Sequence, residues 1–204
     1  MPHFIEVLFA SLTHGITEFL PISSTAHVAV IAWFYEFDIY KFILINISLH
    51  LGSLLAVSFY FKKDLLNIFN NKKFLIGILI ATIPVMLFGF IFVNTVDIIN
   101  IKIIAWASLI FGILLYISDK NKKNKTIAKE FNYKAALIIG LSQVLSLMPG
   151  VSRSGITITA GRFLGFDRYS SLKISFFLSM PTLAMVSLYG MYSLYKEDNP
   201  QLSW

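Results

Sequence analysis

The sequence predicts an all-α, polytopic integral membrane protein. Three observations carry that prediction: the balance of apolar to charged residues, four apolar stretches of membrane-crossing length, and two shorter apolar pairs interrupted by proline. Of the 204 residues, 56% are hydrophobic and 14% charged. A soluble domain carries about 25% charged residues. The mean hydropathy is +0.72. These values exclude a soluble globular enzyme and a disordered chain, and the lack of cysteine excludes a disulfide framework. The net charge of +6 does not point to nucleic acid. In so apolar a chain, Lys and Arg mark cytoplasmic loops. Glu6 and Glu18 lie within an N-terminal stretch that lacks the basic start of a signal peptide, so no cleavable leader is expected there.

A helix needs about 20 apolar residues to cross the hydrocarbon. The stretches Phe42–Phe61, Phe74–Val93, Ile99–Ser118 and Ile174–Tyr195 meet or approach that length, with Lys102 placed to snorkel at one end of the third. Two basic loops separate them: Lys62–Lys73, and Asp119–Glu130 with its five lysines. Both are expected to be cytoplasmic, which leaves the turn Glu36–Tyr40 and the loop around Asp97 outside.

Two further segments are paired arms. Phe4–Leu20 and Ser23–Tyr35 meet at Pro21-Ile22, and Lys134–Met148 and Ile156–Phe166 meet at Pro149–Gly155. At about 1.5 Å per residue the second arm of each pair is too short to cross roughly 30 Å. Each pair therefore reads as a re-entrant hairpin, whose irregular tip needs protein or a wet cavity around it. Both tips carry an apolar pair, a proline and then a hydroxyl cluster opening a helix. With three crossings between them, the hairpins enter from opposite sides, giving an inverted repeat whose tips meet near the midplane. The expected organisation is one membrane domain. Residues 1–118 form the first repeat, with its hairpin at 4–35 and three spans. Residues 131–204 form a second repeat, with its hairpin at 134–166 and one span, two spans fewer than the first.

The tips hold the residues capable of chemistry. Helix N-termini with free N–H groups bind phosphate, and two of them, at Ser23-Ser24-Thr25 and Ser152-Arg153-Ser154, are expected to converge. Arg153 adds a planar charged fork suited to phosphate oxygens. The chain has 14 Lys but only three Arg, at 153, 162 and 168, so arginine is confined to the second tip and the stretch just beyond it. An intramembrane charge is functional by default. Glu18 and His14 lie one turn apart, as do Ser24 and His27, so each pair is expected to share a helix face. Ser24 with His27, a carboxylate and an arginine reads as a nucleophile and base for phosphoryl transfer. A Ser-Ser-Thr run after proline is equally an ordinary helix cap. His50 in its span and Gln143 on the second hairpin are supporting candidates, as orienting or packing groups. Met148, Met180 and Met185 are expected to fill the core. Trp33-Phe34-Tyr35 and Tyr189, Tyr192 and Tyr195 fit an outer aromatic belt, with Tyr60 and Tyr116 at the inner one. No Walker loop, zinc-ligand motif or dinucleotide fingerprint is present.

Three collinear motifs, Thr17–His27, Leu49–Val57 and Pro149–Thr157, resemble those of the undecaprenyl-diphosphate phosphatases of the bacitracin-resistance type. The similarity runs to about residue 190 and includes Ser175–Pro181. The resemblance implies hydrolysis of a C55 prenyl diphosphate to the monophosphate and inorganic phosphate, recycling the lipid carrier of peptidoglycan synthesis and conferring bacitracin resistance. It also implies a divalent cation, Mg²⁺ or Ca²⁺, with Glu18 as a ligand, and a multi-pass protein of the bacterial inner membrane whose site opens to the outer face. Position by position, Ser24 matches the nucleophile, Glu18 and His27 its acidic and basic partners, and Arg153 the phosphate-binding arginine. Thr25, Ser152, Ser154 and Ser23 match neighbouring hydroxyl contacts. His14 stands where the family has Glu or Gln, and Ala26 where it has Gly. The implied partners are the polyprenyl diphosphate and membrane lipid, with no nucleic acid and with a homodimer able to cover the hairpins. A prenyl-phosphate transporter or flippase, and a shortened inactive homologue, are the alternatives.

Overall fold

The computed structural model describes residues 4–36, 39–65, 71–92, 101–120 and 124–198. Helices dominate it, in this order: α1 (Phe4–Thr17), α2 (Ser24–Phe34), α3 (Ile39–Tyr60), α4 (Lys72–Phe92), α5 (Ile101–Asp119), α6 (Ile127–Glu130), α7 (Tyr133–Val144), a 3₁₀ turn (Leu145–Leu147), α8 (Arg153–Phe163) and α9 (Arg168–Asp198). The loop around Asp97, the middles of the two Lys-rich loops, part of the turn Glu36–Tyr40 and the segment 199–204 lie outside the described residues.

Three helical segments are long and apolar enough to cross a membrane: Lys72–Ile91, Lys102–Asp119 and Arg168–Ser193. The 22 residues of α3 reach the same length, about 33 Å at 1.5 Å per residue. This is a multi-pass membrane protein. Its surface agrees: Trp33, Phe59, Tyr60 and Phe90 are each at least 73% exposed, which in water would be a large unpartnered apolar surface. The last span begins six residues earlier than hydropathy predicts. Arg168 and Lys173 extend it because their charges are neutralised by acids from the loops.

α1, α2, α7 and α8 contain 14, 11, 12 and 11 residues. That makes them roughly 16–21 Å long, too short to cross about 30 Å. Each pair is joined by a proline-containing turn, and the two turns dock on each other. The Ser154 hydroxyl donates to the Leu20 carbonyl at 2.6 Å. Behind the second turn, Ser108 of α5 donates to the Gly150 carbonyl at 3.0 Å. Gly150 has φ +91°, and a side chain there would collide with the backbone of Ile104, so the turn closes on α5 only with glycine.

The core lies on the other side of the second hairpin. Ile78 and Ala81 of α4, Ala136 and Ile139 of α7 and Ile174, Phe177 and Leu178 of α9 are buried together with Phe131 and Phe166. α4 and α7 approach closely because Gly140 faces the backbone of Ala81, where a Cβ would lie 2.6 Å from the Ala81 Cα. Small residues at such crossings replace the hydrophobic drive that lipid removes.

Two acids tie the Lys-rich loops to the first turns of α9. Asp64 accepts from Lys173 Nζ at 2.7 Å. Asp119 meets Arg168 Nη2 at 2.5 Å and Arg162 Nε at 2.8 Å. Residue 125 adds a short parallel bridge to the turn after α8: Lys125 N donates to the Gly165 carbonyl at 3.1 Å, and the Lys125 carbonyl accepts from Asp167 N at 2.9 Å. Both loops thus lie at one end of the bundle. Two of the three arginines serve this junction.

Two stability outcomes are expected in detergent. Gly140→Val forces α4 and α7 apart and costs about 1–3 kcal/mol, read as a lower melting temperature by intrinsic fluorescence. Asp119→Ala strips the buried Arg162 of its anion. It is expected to cost on the order of 3 kcal/mol, and Arg168→Ala, on the exposed side of the same acid, much less.

Candidate active site

The first arm ends in a buried acid. α1 closes at Thr17, but the Glu18 N–H still bonds the His14 carbonyl at 2.8 Å, so both side chains project from one face. The turn then reverses, and Ser23 caps α2 by accepting from the Ala26 N–H at 3.3 Å. The second tip repeats this construction: Ser152 caps α8 by accepting from the Gly155 N–H at 3.1 Å. Each cap satisfies one of the N–H groups in the first turn of its helix and leaves the others without an intrahelical partner.

Arg153 Nη2 meets Glu18 Oε1 at 2.6 Å, across 135 residues of sequence. The other carboxylate oxygen accepts from the Ser24 hydroxyl at 2.5 Å. Glu18 and Ser24 are buried, and the Arg153 side chain is 15% exposed. These groups border a cavity of about 270 Å³, with Ser23, Thr25, Ser152 and His50 also on its wall. A hydroxyl, a carboxylate, a guanidinium and two helix N-termini therefore face one space. Such a set can bind an anion, remove a hydroxyl proton and hold charge that grows on phosphate oxygens.

Other predicted residues take different places. His27 lies about 60° round α2 from Ser24 and borders a different space. Ser24 is turned inward to Glu18, whereas His27 is exposed and its Nδ1 lies 2.6 Å from the Ser23 carbonyl of its own helix. Its ring borders a separate space of about 200 Å³ between α2, α5 and the second tip. The i,i+3 offset, about 300° around the helix, leaves about 60° between the two side chains, and the boundary between the two spaces falls there. Ser154 lies behind the cavity, bonded to Leu20 and 3.0 Å from the Ser152 hydroxyl. Gln143 is fully buried beneath the second tip and is absent from the cavity wall.

His50 lies on the cavity wall, and His14 stands behind Glu18 on the side of the groove between α1 and α3. Their rings meet edge to face with centroids 4.9 Å apart, and His14 Nε2 is 3.7 Å from Glu18 Oε2. One ligand atom from each of His14, Glu18 and His50 falls within a 4.8 Å cluster, the metal-binding candidate among the described residues. That donor set does not fit Mg²⁺ or Ca²⁺. Both prefer oxygen, whereas two of the three donors are imidazoles.

Sequence reasoning missed the wall supplied by α9 and α4: Thr182, Leu183, Met185 and Val186, with Val85 opposite. Met185, expected in the core, borders the cavity, and Met148 is 45% exposed; Met180 is buried as expected. The available signal was Thr182 beside Pro181, a hydroxyl placed at a helix irregularity.

The chain matches the bacitracin resistance protein BacA family over residues 7–203. It is 48% identical over 188 residues to an undecaprenyl-diphosphatase of Pelagibacter ubique (strain HTCC1062), covering 90% of this chain and 73% of that protein. It is 38% identical to an undecaprenyl-diphosphatase of Caldicellulosiruptor bescii, covering 95% and 76%. A third such enzyme, from Elusimicrobium minutum, is 39% identical, covering 96% and 78%. With the match running through both hairpins that build the cavity, this chain belongs to the BacA bacitracin resistance family.

Proposed function

We propose that the protein hydrolyses undecaprenyl diphosphate to undecaprenyl phosphate and inorganic phosphate, with Ser24 as nucleophile, Glu18 as its base and Arg153 as the phosphate clamp. One observation carries this reading: the Ser24 hydroxyl donates to a buried carboxylate whose other oxygen is held by Arg153. A serine is a weak nucleophile until an adjacent base takes its proton. Glu18 is that base.

The Glu18–Arg153 pair neutralises both charges while the site lacks an anion. An incoming diphosphate offers Arg153 a better-matched bidentate partner. As the guanidinium turns to the phosphate oxygens, Glu18 loses its counter-charge and becomes more basic toward Ser24. The Ser24 oxygen then attacks the terminal phosphorus, its proton passes to Glu18, and the P–O bond to the prenyl monophosphate breaks. Glu18 gives that proton up to the departing monophosphate. Water then attacks the phosphoserine, passing a proton to Glu18, and inorganic phosphate leaves as Ser24 takes the proton back. Arg153 and the N–H groups at Ser24–Thr25 and Arg153–Ser154 hold the spreading charge, which is the main requirement of phosphoryl transfer. Ser23, Thr25 and Ser152 orient the oxygens. His27, in the neighbouring space, acts on the substrate away from Ser24. Its place is the departing prenyl phosphate.

The reading takes the two hairpins as oppositely entering halves of an inverted repeat, with residues 1–118 and 131–204 as its two parts. It places the site in the bacterial inner membrane, open to the outer face, with the prenyl tail remaining in lipid. The Lys-rich loops, both tied to one end of α9, support a shared cytoplasmic side.

Ser24→Ala and Arg153→Ala are each expected to lower phosphate release from a prenyl diphosphate by about 10²–10⁴-fold. The assay is phosphate detection with purified protein in detergent. Full activity in both variants overturns these assignments, and lipid movement across vesicles without phosphate release favours a carrier instead. Arg153→Lys keeps the charge but loses the fork, so KM is expected to rise with activity only partly lost. His27→Ala is expected to lower kcat while leaving Ser24 labelling by a phosphonofluoridate intact. Loss of labelling in that variant would assign the base role to His27.

A further inference from the structure

We propose that His14, Glu18 and His50 form a site for a nitrogen-preferring transition ion of the Zn²⁺ class, rather than for Mg²⁺ or Ca²⁺. His14 is the strongest observation. It is 1% exposed, and neither ring nitrogen has a hydrogen-bond partner among the described residues. A buried imidazole without partners costs free energy unless something binds it. Its own helix offers only Glu18, at 3.7 Å.

The second imidazole is already oriented. His50 Nδ1 lies 2.7 Å from the Asn46 carbonyl, which can only accept, so Nδ1 is the donor there and Nε2 is the ring atom turned to the cluster. A backbone carbonyl on the distal nitrogen is the usual support of a metal-bound histidine. Glu18 supplies the one oxygen. Two histidines and a glutamate with a fourth position open is a donor set of catalytic zinc sites. Ligands about 2.0–2.2 Å from a tetrahedral ion sit roughly 3.4 Å apart. The His14–Glu18 separation of 3.7 Å approaches that, while the set as a whole spreads to 4.8 Å, so the wider pair closes by roughly 1.4 Å when an ion binds.

The position fits a functional ion. His14 borders the groove between α1 and α3, while Glu18 and His50 border the cavity that holds Ser24 and Arg153. Two of the three donors therefore border the space assigned to phosphate. Binding of the ion needs neither substrate nor turnover, so it can be tested apart from the phosphatase reading.

The test uses the full chain in detergent, stripped with a chelator and titrated with Co²⁺ alone. Visible ligand-field absorption stronger than that of aqueous Co²⁺ is expected, displaced by one equivalent of Zn²⁺ but not by a large excess of Mg²⁺ or Ca²⁺. His14→Gln and His50→Gln are each expected to weaken Co²⁺ binding about tenfold or more. His27→Ala is expected to leave it unchanged. Calorimetric titration of the wild type with Zn²⁺ and then Mg²⁺ gives the same comparison without any variant. Absence of the absorption, equal displacement by Mg²⁺, or a spectrum unchanged in both glutamine variants overturns the proposal.

Discussion

The contact between Glu18 and Arg153 fixes the relation of everything around it. In a medium that solvates ions poorly, either charge alone would be forced toward the surface or neutralised. Held together, each makes the other tolerable, and the turns that bear them are drawn to one point. The carboxylate uses its second oxygen to hold Ser24, so the pair also aims the first turn of α2. The Ser154 bond to Leu20 and the closure of Gly150 on α5 brace the junction from behind. Removing one charge would leave its partner buried without compensation, which is a larger disturbance than losing a contact of ordinary strength.

The spans were legible because lipid imposes a simple rule: a helix must be apolar for its whole crossing, and apolar length can be counted. The short paired arms were legible for the same reason, since proline and hydroxyl clusters interrupt the count. Glu18, Ser24 and Arg153 could be singled out because a lone charge or a hydroxyl run in an apolar sequence stands out. What could not be read was direction. Ser24 and His27 look equivalent at a three-residue spacing, yet an offset of about 60° is enough for them to border different spaces. In sequence, Arg162 and Arg168 group with the site because they come soon after Arg153. Their acid lies 43 and 49 residues upstream, a pairing that only the folded chain reveals. The α9 wall escaped for a similar reason, since nothing local distinguishes a cavity-lining methionine from a packed one.

α8 departs from the pattern of a membrane helix. Every residue from Ser154 to Arg162 is buried, yet much of the run is Ser, Thr and Gly. Its hydroxyls are used internally: Thr159 bonds the Gly155 carbonyl at 2.7 Å, and Thr157 reaches Ser175 of α9 at 2.8 Å. Small side chains let α5, α7 and α9 close on it from several directions. The hydroxyls keep it from being a generic apolar rod that could rotate or slide. A helix that presents Arg153 to Glu18 from its first residue needs that fixed rotation.

α9 runs unbroken for 31 residues, and its two halves have different attachments. Near its start, Arg168 and Lys173 are tied to the loops. The half beyond Pro181 begins with the residues that wall the cavity. Proline removes one rung of the backbone ladder, so the rod is most compliant at the boundary between these halves. Mechanically, α9 is a beam anchored at the water-facing end, with its softest point within a turn of the cavity that Glu18, Ser24 and Arg153 border. Small tilts of its distal half would then widen or narrow that space while the ion-paired base, and the loops fastened to it, stay still.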